Sequence, residues 1–189
     1  MKQFPGSEIV RFLQAVDRHL DKPFRLDVIG GAAALLSFRV DSGTVDIDAA
    51  NNVAGLQKAC RAARHETGLA IPLSSAGIYD GPYDYEGRMK RVPIRGLRKL
   101  QVFVPEKHDW ALMKIVRLIE KDIEDIREVE EKAGFRRTTF LKRFLEEMTH
   151  VTGRREDLIS SFLTMMEALF GPAEAGRMEK AIRKHKKWA

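Results

Sequence analysis

Asp46 and Asp48, in the stretch Thr44-Val45-Asp46-Ile47-Asp48, are the residues whose type and spacing most directly suggest chemistry. On a β-strand, residues two apart point to the same face. The two carboxylates would therefore project together while Val45 and Ile47 turn toward a core. Like charges side by side on a strand repel, and aspartate is depleted from strands. A hard divalent cation such as Mg²⁺ or Mn²⁺ removes that penalty, because it takes carboxylate oxygens and keeps further positions for water and phosphate. With a nucleoside triphosphate, the pair would suit phosphoryl chemistry supported by metal ions. The plainer alternative is a solvent-facing strand edge with two ordinary aspartates.

Upstream, Gly30-Gly31 lies between a predicted strand, Phe24 to Ile29, and a predicted Ala-rich helix, Ala32 to Ser37. A helix start offers free backbone N–H groups and the positive end of the helix dipole, and glycine lets a phosphate approach the backbone. A tight strand-to-helix turn would need the same glycines. The combination of strand, Gly-Gly, helix, turn and a D-x-D strand is rarer than either piece. Ser7 to Leu20 reads as an amphipathic helix, with Ile9, Phe12, Leu13, Val16 and Leu20 on one stripe and Ser7 as cap. Thr44 to Ala49 forms the D-x-D strand, and Asn52 caps a helix of about fourteen residues ending near Gly68. Residues 71 to 86 are loop-like, and Arg88 to Ile94 and Lys99 to Val104 read as a strand pair around Arg95-Gly96. From Pro105 the pattern is helical: Asp109 to Ile119, Asp122 to Ala133 stopped by Gly134, Thr139 to Val151, Glu156 to Phe170, and Ala173 to Lys187. The fold class is therefore α+β, a small mixed sheet flanked by helices over residues 1–134, followed by an all-helical part over 135–189.

The 189 residues suffice for one domain with a core plus a helical appendage. No apolar run reaches the length of a membrane span, the N-terminus lacks the apolar core of a secretory signal, and Cys60 is the single cysteine. These features predict a cytoplasmic protein with no membrane partner. Of the net charge of +6, residues 135–189 hold +5, from twelve Lys or Arg and seven Asp or Glu. The densest run is Arg177, Lys180, Arg183, Lys184, Lys186 and Lys187. It reads as a solvated helix end, cations being favoured at the C-terminal dipole, or as a phosphate-attracting patch. The five histidines are dispersed, and Met165-Met166 with Phe162, Leu163, Leu169 and Phe170 read as helix-packing core.

The stretches Val28-Ile29-Gly30-Gly31-Ala32-Ala33-Ala34-Leu35 and Thr44-Val45-Asp46-Ile47-Asp48 resemble the DNA polymerase beta-type nucleotidyltransferase superfamily. The likeness is greatest to bacterial nucleotidyltransferase-like proteins related to abortive-infection toxins. In that branch a lysine-bearing helix and an acidic D-x-x-D segment follow; here they would be His108 to Lys114 and Lys121 to Ile126. The resemblance spans residues 24 to 130. It implies metal ions on Asp46 and Asp48, triphosphate near Gly30 and Gly31, and transfer of a nucleoside monophosphate to a hydroxyl acceptor. Lys114 and Arg88 are candidate phosphate or nucleotide contacts, with surface cations as the alternative for each. Asp109, Asp122 and Asp125 read as helix-capping acids that could also border the site. By the same analogy tRNA is an attractive acceptor and a cognate antitoxin a partner. The superfamily expects a third carboxylate on a later strand, yet 88–94 and 99–104 contain no acid. Asp84 and Glu86 are the favoured candidates for it, with Asp80 also nearby. If neither reaches the site, the chain would be a catalytically degenerate nucleotidyltransferase fold, binding nucleotide or a protein partner.

Overall fold

The computed structural model describes residues 2–77 and 80–188 and divides into two compact units. The first comprises residues 1–79 and 89–105; the second comprises residues 80–88 and 106–189. The expected division at 134/135 falls inside the second unit. The fold is mixed α+β, as its sequence predicts, with an all-helical C-terminal part. No described helix is long and apolar enough to cross a membrane.

The first unit is built on a five-stranded mixed sheet in the order β3-β2-β1-β5-β4. Its strands are β1 (Phe24–Ile29), β2 (Ile47–Ala49), β3 (Leu73–Ser75), β4 (Lys90–Arg91) and β5 (Leu100–Val104). β1 is central, antiparallel to β2 and parallel to β5. Leu26, Val28, Ile47, Ala49, Leu100, Val102 and Val104 are all buried, the period-two signature of one covered face. Helices α1 (Gly6–Arg18), α2 (Gly30–Ser37) and α3 (Gln57–Thr67) complete the unit, and α1 packs on both α2 and α3. Ile9, Phe12, Leu13 and Val16 of α1 are fully buried, as the stripe requires. Ser7 is not the cap: the helix begins at Gly6, with Pro5 in the N-cap position and no side-chain bond closing the turn.

Several strands are shorter than their patterns suggest. Only Lys90 and Arg91 of the 88–94 segment pair as a strand, because Pro93 has no N–H to give the ladder; Val92 donates the last bond, to Val102 O at 2.9 Å. Thr44 makes an isolated bridge to Phe4, and β2 starts only at Ile47. The loop-like 71–86 segment contains a real strand, β3, hidden by its Ser-rich, half-exposed sequence; Ile78 and Tyr79 of that segment lie outside the described residues. Asn52 accepts the Ala54 N–H at 2.8 Å and opens a 3-10 turn, Ala54–Leu56, that runs into α3 and ends at Gly68 in the left-handed region (φ 70°). That reproduces the fourteen-residue helical stretch expected from sequence.

The second unit holds α4 (Lys107–Lys114), α5 (Glu120–Ala133), α6 (Arg137–Glu147), α7 (Arg155–Phe170) and α8 (Pro172–Lys184). α4 starts two residues before the expected Asp109, because Glu106 accepts the His108 N–H, and stops at Lys114 rather than Ile119. The chain leaves it by a turn in which Leu118 takes φ 30°. Phe162, Met165 and Met166 are fully buried core residues. Phe144 stacks between Phe162 and Trp188, at centroid distances of 4.1 and 4.3 Å.

Candidate nucleotide and metal site

β1 hands the chain directly to α2 at Gly30, whose φ of 63° only glycine adopts without strain. The first turn of α2 carries no acidic residue of its own, so its N–H groups present a site suited to an anion. The register places Asp48 opposite Ile29. A Cβ at Gly30 would lie 3.6 Å from Asp48 Oδ2, so the carboxylate stands directly beside this helix start. Ile47 and Ala49 are fully buried and Asp48 is half-exposed, the expected alternation, but Val45, expected to face the core with Ile47, is half-exposed like Asp46 because both precede the strand. Asp46 precedes the first strand residue rather than lying within the ladder.

Thr44 positions that residue. Its backbone exchanges two hydrogen bonds with Phe4, at 2.7 and 3.1 Å, and its hydroxyl donates to the Asp46 carbonyl at 3.2 Å. Gly31 makes room for it: a Cβ there would meet Thr44 Oγ1 at 2.8 Å and Thr44 Cβ at 3.2 Å. The second glycine thus serves packing against the Asp46 segment. Asn51 clamps the other end of β2, its side chain accepting the Asp27 N–H at 3.0 Å and donating to Arg25 O at 2.7 Å. Neither role is visible locally in the sequence, since each partner is at least 24 residues away.

Asp27 shares the Asp48 face of the sheet, two positions from Ile29 along β1, and is ion-paired with Arg25 at 2.7 Å. No acid lies on β3, β4 or β5, and among the described residues no three His, Cys, Asp or Glu side chains converge as a metal cluster. The donor set of the first unit is therefore the Asp48 carboxylate beside a helix start, with Asp46 two residues upstream. That matches Mg²⁺, which commonly takes one or two carboxylates and completes its shell with water and substrate phosphate.

The remaining expected residues lie in the second unit. Asp84 and Glu86 are exposed on and before a 3-10 turn, Tyr85–Arg88, and line an open cleft of about 660 Å³ with Tyr83 and Arg88. Arg88 grips the fully buried Asp109 with two bonds, of 2.8 and 2.9 Å, and reaches Glu147 at 2.5 Å. Burial opposes its charge, but the two carboxylates raise its pKa further above the ordinary arginine range. Arg143 links Asp109 to Glu106, and Glu106 accepts from His108 Nδ1 at 2.9 Å. His108 Nε2 accepts the Arg136 N–H at 2.8 Å, which fixes its proton on Nδ1. Burial alone would raise the Glu106 carboxyl, but His108 and Arg143 bring it down to about 2.

Lys114 is nearly buried and donates to Asp122 and Asp125, each at 2.8 Å, while standing 5.1 Å from the Trp110 ring centroid. Asp122 also accepts from Arg117 and from the Ile119 N–H at 3.2 Å, so it caps α5 from the third helical position rather than as the expected N-cap, while Asp125 pairs with Lys114 and Lys121. Its pKa is lowered, with burial opposed by Arg117 and Lys114. Lys114 and Arg88 are thus both committed to carboxylates within their own unit.

No curated protein and no solved structure matches the chain. A family model described as a nucleotidyltransferase of unknown function (DUF6036) matches residues 7–161, which include the Gly30-Gly31 turn, the Asp46–Asp48 pair and the Lys114 to Asp125 segment. With most of its length matched, the chain belongs to this nucleotidyltransferase family.

Proposed function

We propose that the protein transfers a nucleoside monophosphate from a nucleoside triphosphate to a hydroxyl acceptor, using Mg²⁺ or Mn²⁺ held by Asp46 and Asp48. The observation that supports this reading is the Asp48 carboxylate beside the Gly30 start of α2, a carboxylate suited to a cation next to a helix terminus suited to phosphate. The bound cation would supply charge neutralisation for the phosphates. Gly30 has no side chain to bar phosphate from the helix start, and the N–H groups of the first turn of α2 would offset its negative charge. Asp46 and Asp48 would hold that cation, and Thr44 and Gly31 hold the Asp46 segment in place. The acceptor oxygen bonds to the α-phosphorus as the bond to pyrophosphate breaks, and its proton is lost to water. Positioning and electrostatics would supply most of the rate, as in other phosphoryl transfers.

The absence of acid from β3, β4 and β5 favours a second reading, nucleotide binding without turnover as an interaction module. The two are separated by comparing binding with transfer. In both readings the melting temperature rises with Mg²⁺ plus the preferred triphosphate and loses that rise in Asp46→Asn/Asp48→Asn. Only the first yields radiolabelled acceptor from total RNA or lysate. Asp84→Asn and Glu86→Gln, tested singly, assign the third carboxylate to whichever lowers transfer as severely as Asp48→Asn; activity retained in both removes them from the site.

A further inference from the structure

Residues 89–104 hold five Lys or Arg and no Asp or Glu. Lys90, Arg91, Arg95 and Arg98 are exposed, and among the described residues none of these side chains has an ion-pair partner. Arg91 and Arg95 line an open cleft of about 530 Å³, whose other lining residues are Val92, Pro93, Ile94, Leu97 and Leu100.

The surface is held rather than loose. The buried Asp17 carboxylate accepts the N–H groups of Arg98, Lys99 and Leu100 at 2.6–3.1 Å, and Gln14 donates to Arg95 O at 2.8 Å. Asp17 therefore spends its charge on backbone and leaves the arginines to solvent. The basic C-terminal helix differs: Arg177 pairs with Glu174, and Arg183 pairs with Glu156 and Glu179.

Register places Arg91, one residue of this patch, on the same sheet face as the candidate site. Arg91 pairs with Phe103, Phe103 pairs with Asp27, and Ile29 pairs with Asp48, so Arg91, Phe103 and Asp48 share one sheet face. Three strand spacings and two residues separate Arg91 from Asp48, about 16 Å by ideal sheet geometry. Arg25 lies over the Phe103 ring on the same face, at 4.4 Å.

We infer that the β4–β5 hairpin docks the phosphodiester backbone of a single-stranded nucleic acid, delivering its terminal hydroxyl toward Asp48 as the acceptor. The delivery half of this inference rests on the proposed transfer reaction. Guanidinium forks match phosphate oxygens and stack on bases, and an apolar cleft lined by two such cations fits a base better than an acidic peptide side chain. Positively charged grooves that track the backbone bind single strands with little sequence preference.

The test is fluorescence anisotropy of the full chain with labelled U12 and dT12 between 50 and 200 mM salt. Arg91→Gln/Arg95→Gln/Arg98→Gln is expected to weaken binding at least tenfold and to flatten the log–log salt slope by about 2, from roughly 0.7 per phosphate contact. It should keep the wild-type fold by circular dichroism and the Mg²⁺–triphosphate melting rise. Lys180→Gln/Lys184→Gln/Lys186→Gln/Lys187→Gln should bind within twofold of wild type. Equal binding of U12 and dT12 assigns the shared phosphodiester backbone, and preference for U12 assigns RNA. Wild-type affinity in the hairpin variant, equal loss in the C-terminal variant, or hairpin-dependent binding of poly-glutamate without either oligonucleotide would overturn the inference. Asp46→Asn/Asp48→Asn should bind both oligonucleotides normally, so failure of the transfer reading is seen separately from failure of the docking surface.

Discussion

Gly31→Ala perturbs the contact that holds Asp46 without touching either carboxylate. The added methyl would lie 2.8 Å from Thr44 Oγ1 and 3.2 Å from Thr44 Cβ, both inside ordinary contact distance. Thr44 has little freedom to retreat, since two backbone bonds tie it to Phe4 and its hydroxyl is bonded to the Asp46 carbonyl. Overpacking of this kind costs about 1–3 kcal/mol, and at about 2 kcal/mol the melting temperature should fall by roughly 4–8 °C for a chain of this size. Thr44→Ala removes the shorter contact and leaves the one to Cβ. In that background, Gly31→Ala should therefore cost about 1 kcal/mol less, a coupling within the usual range for touching residues. Urea unfolding of the four members of the cycle measures it, with nucleotide transfer assayed in parallel. Additive single effects within about 0.3 kcal/mol would refute the claim that Gly31 exists to admit Thr44.

Gly30→Ala should lower nucleotide binding more than Gly31→Ala does, because its methyl enters the space beside Asp48 and its φ of 63° adds about 1–2 kcal/mol of strain; isothermal titration with Mg²⁺–triphosphate reads it. Asp17→Ala strips the partner from three backbone N–H groups at the start of β5, one of them on the buried Leu100, and should cost roughly 3 kcal/mol in urea unfolding. Glu106 has a folded pKa of about 2, below its ordinary value of 4.5, so the stability it confers is complete above pH 4.5 and is lost as pH falls toward 2. The stability difference between wild type and Glu106→Gln should shrink across that window, as followed by urea unfolding at each pH.

The D-x-D stretch and the Gly-Gly turn were legible because both follow from short-range rules, period two on a strand and glycine at a strand-to-helix handoff. The apolar stripe of α1 and the Asn52 turn that opens the next helical stretch were legible for the same reason, although the N-cap position falls to Val53. What stayed hidden depends on long-range partners. β3 is a strand only because Ile47, Asp48 and Ala49 offer it a ladder, and its own Leu-Ser-Ser carries no alternation. Asp17 reads as a helix-end acid until the fold brings residues 98–100 against it. Arg88 and Lys114 read as open cations because the carboxylates that engage them, Asp109, Glu147, Asp122 and Asp125, are sequence-remote or look like simple caps. Residues 80–88 join the helical unit although they precede strand β4, a swap of partners that no local pattern signals.

The central claim is a cation-dependent nucleotide site at Asp46 and Asp48, and thermal melting with each nucleoside triphosphate, with and without Mg²⁺ or Mn²⁺, tests it most directly. A rise of several degrees is expected with at least one triphosphate, near RT ln(1 + [L]/Kd) in free energy. That rise should require the divalent ion and vanish in Asp46→Asn/Asp48→Asn. A melting temperature indifferent to every triphosphate, or a rise that survives the double substitution, would contradict it.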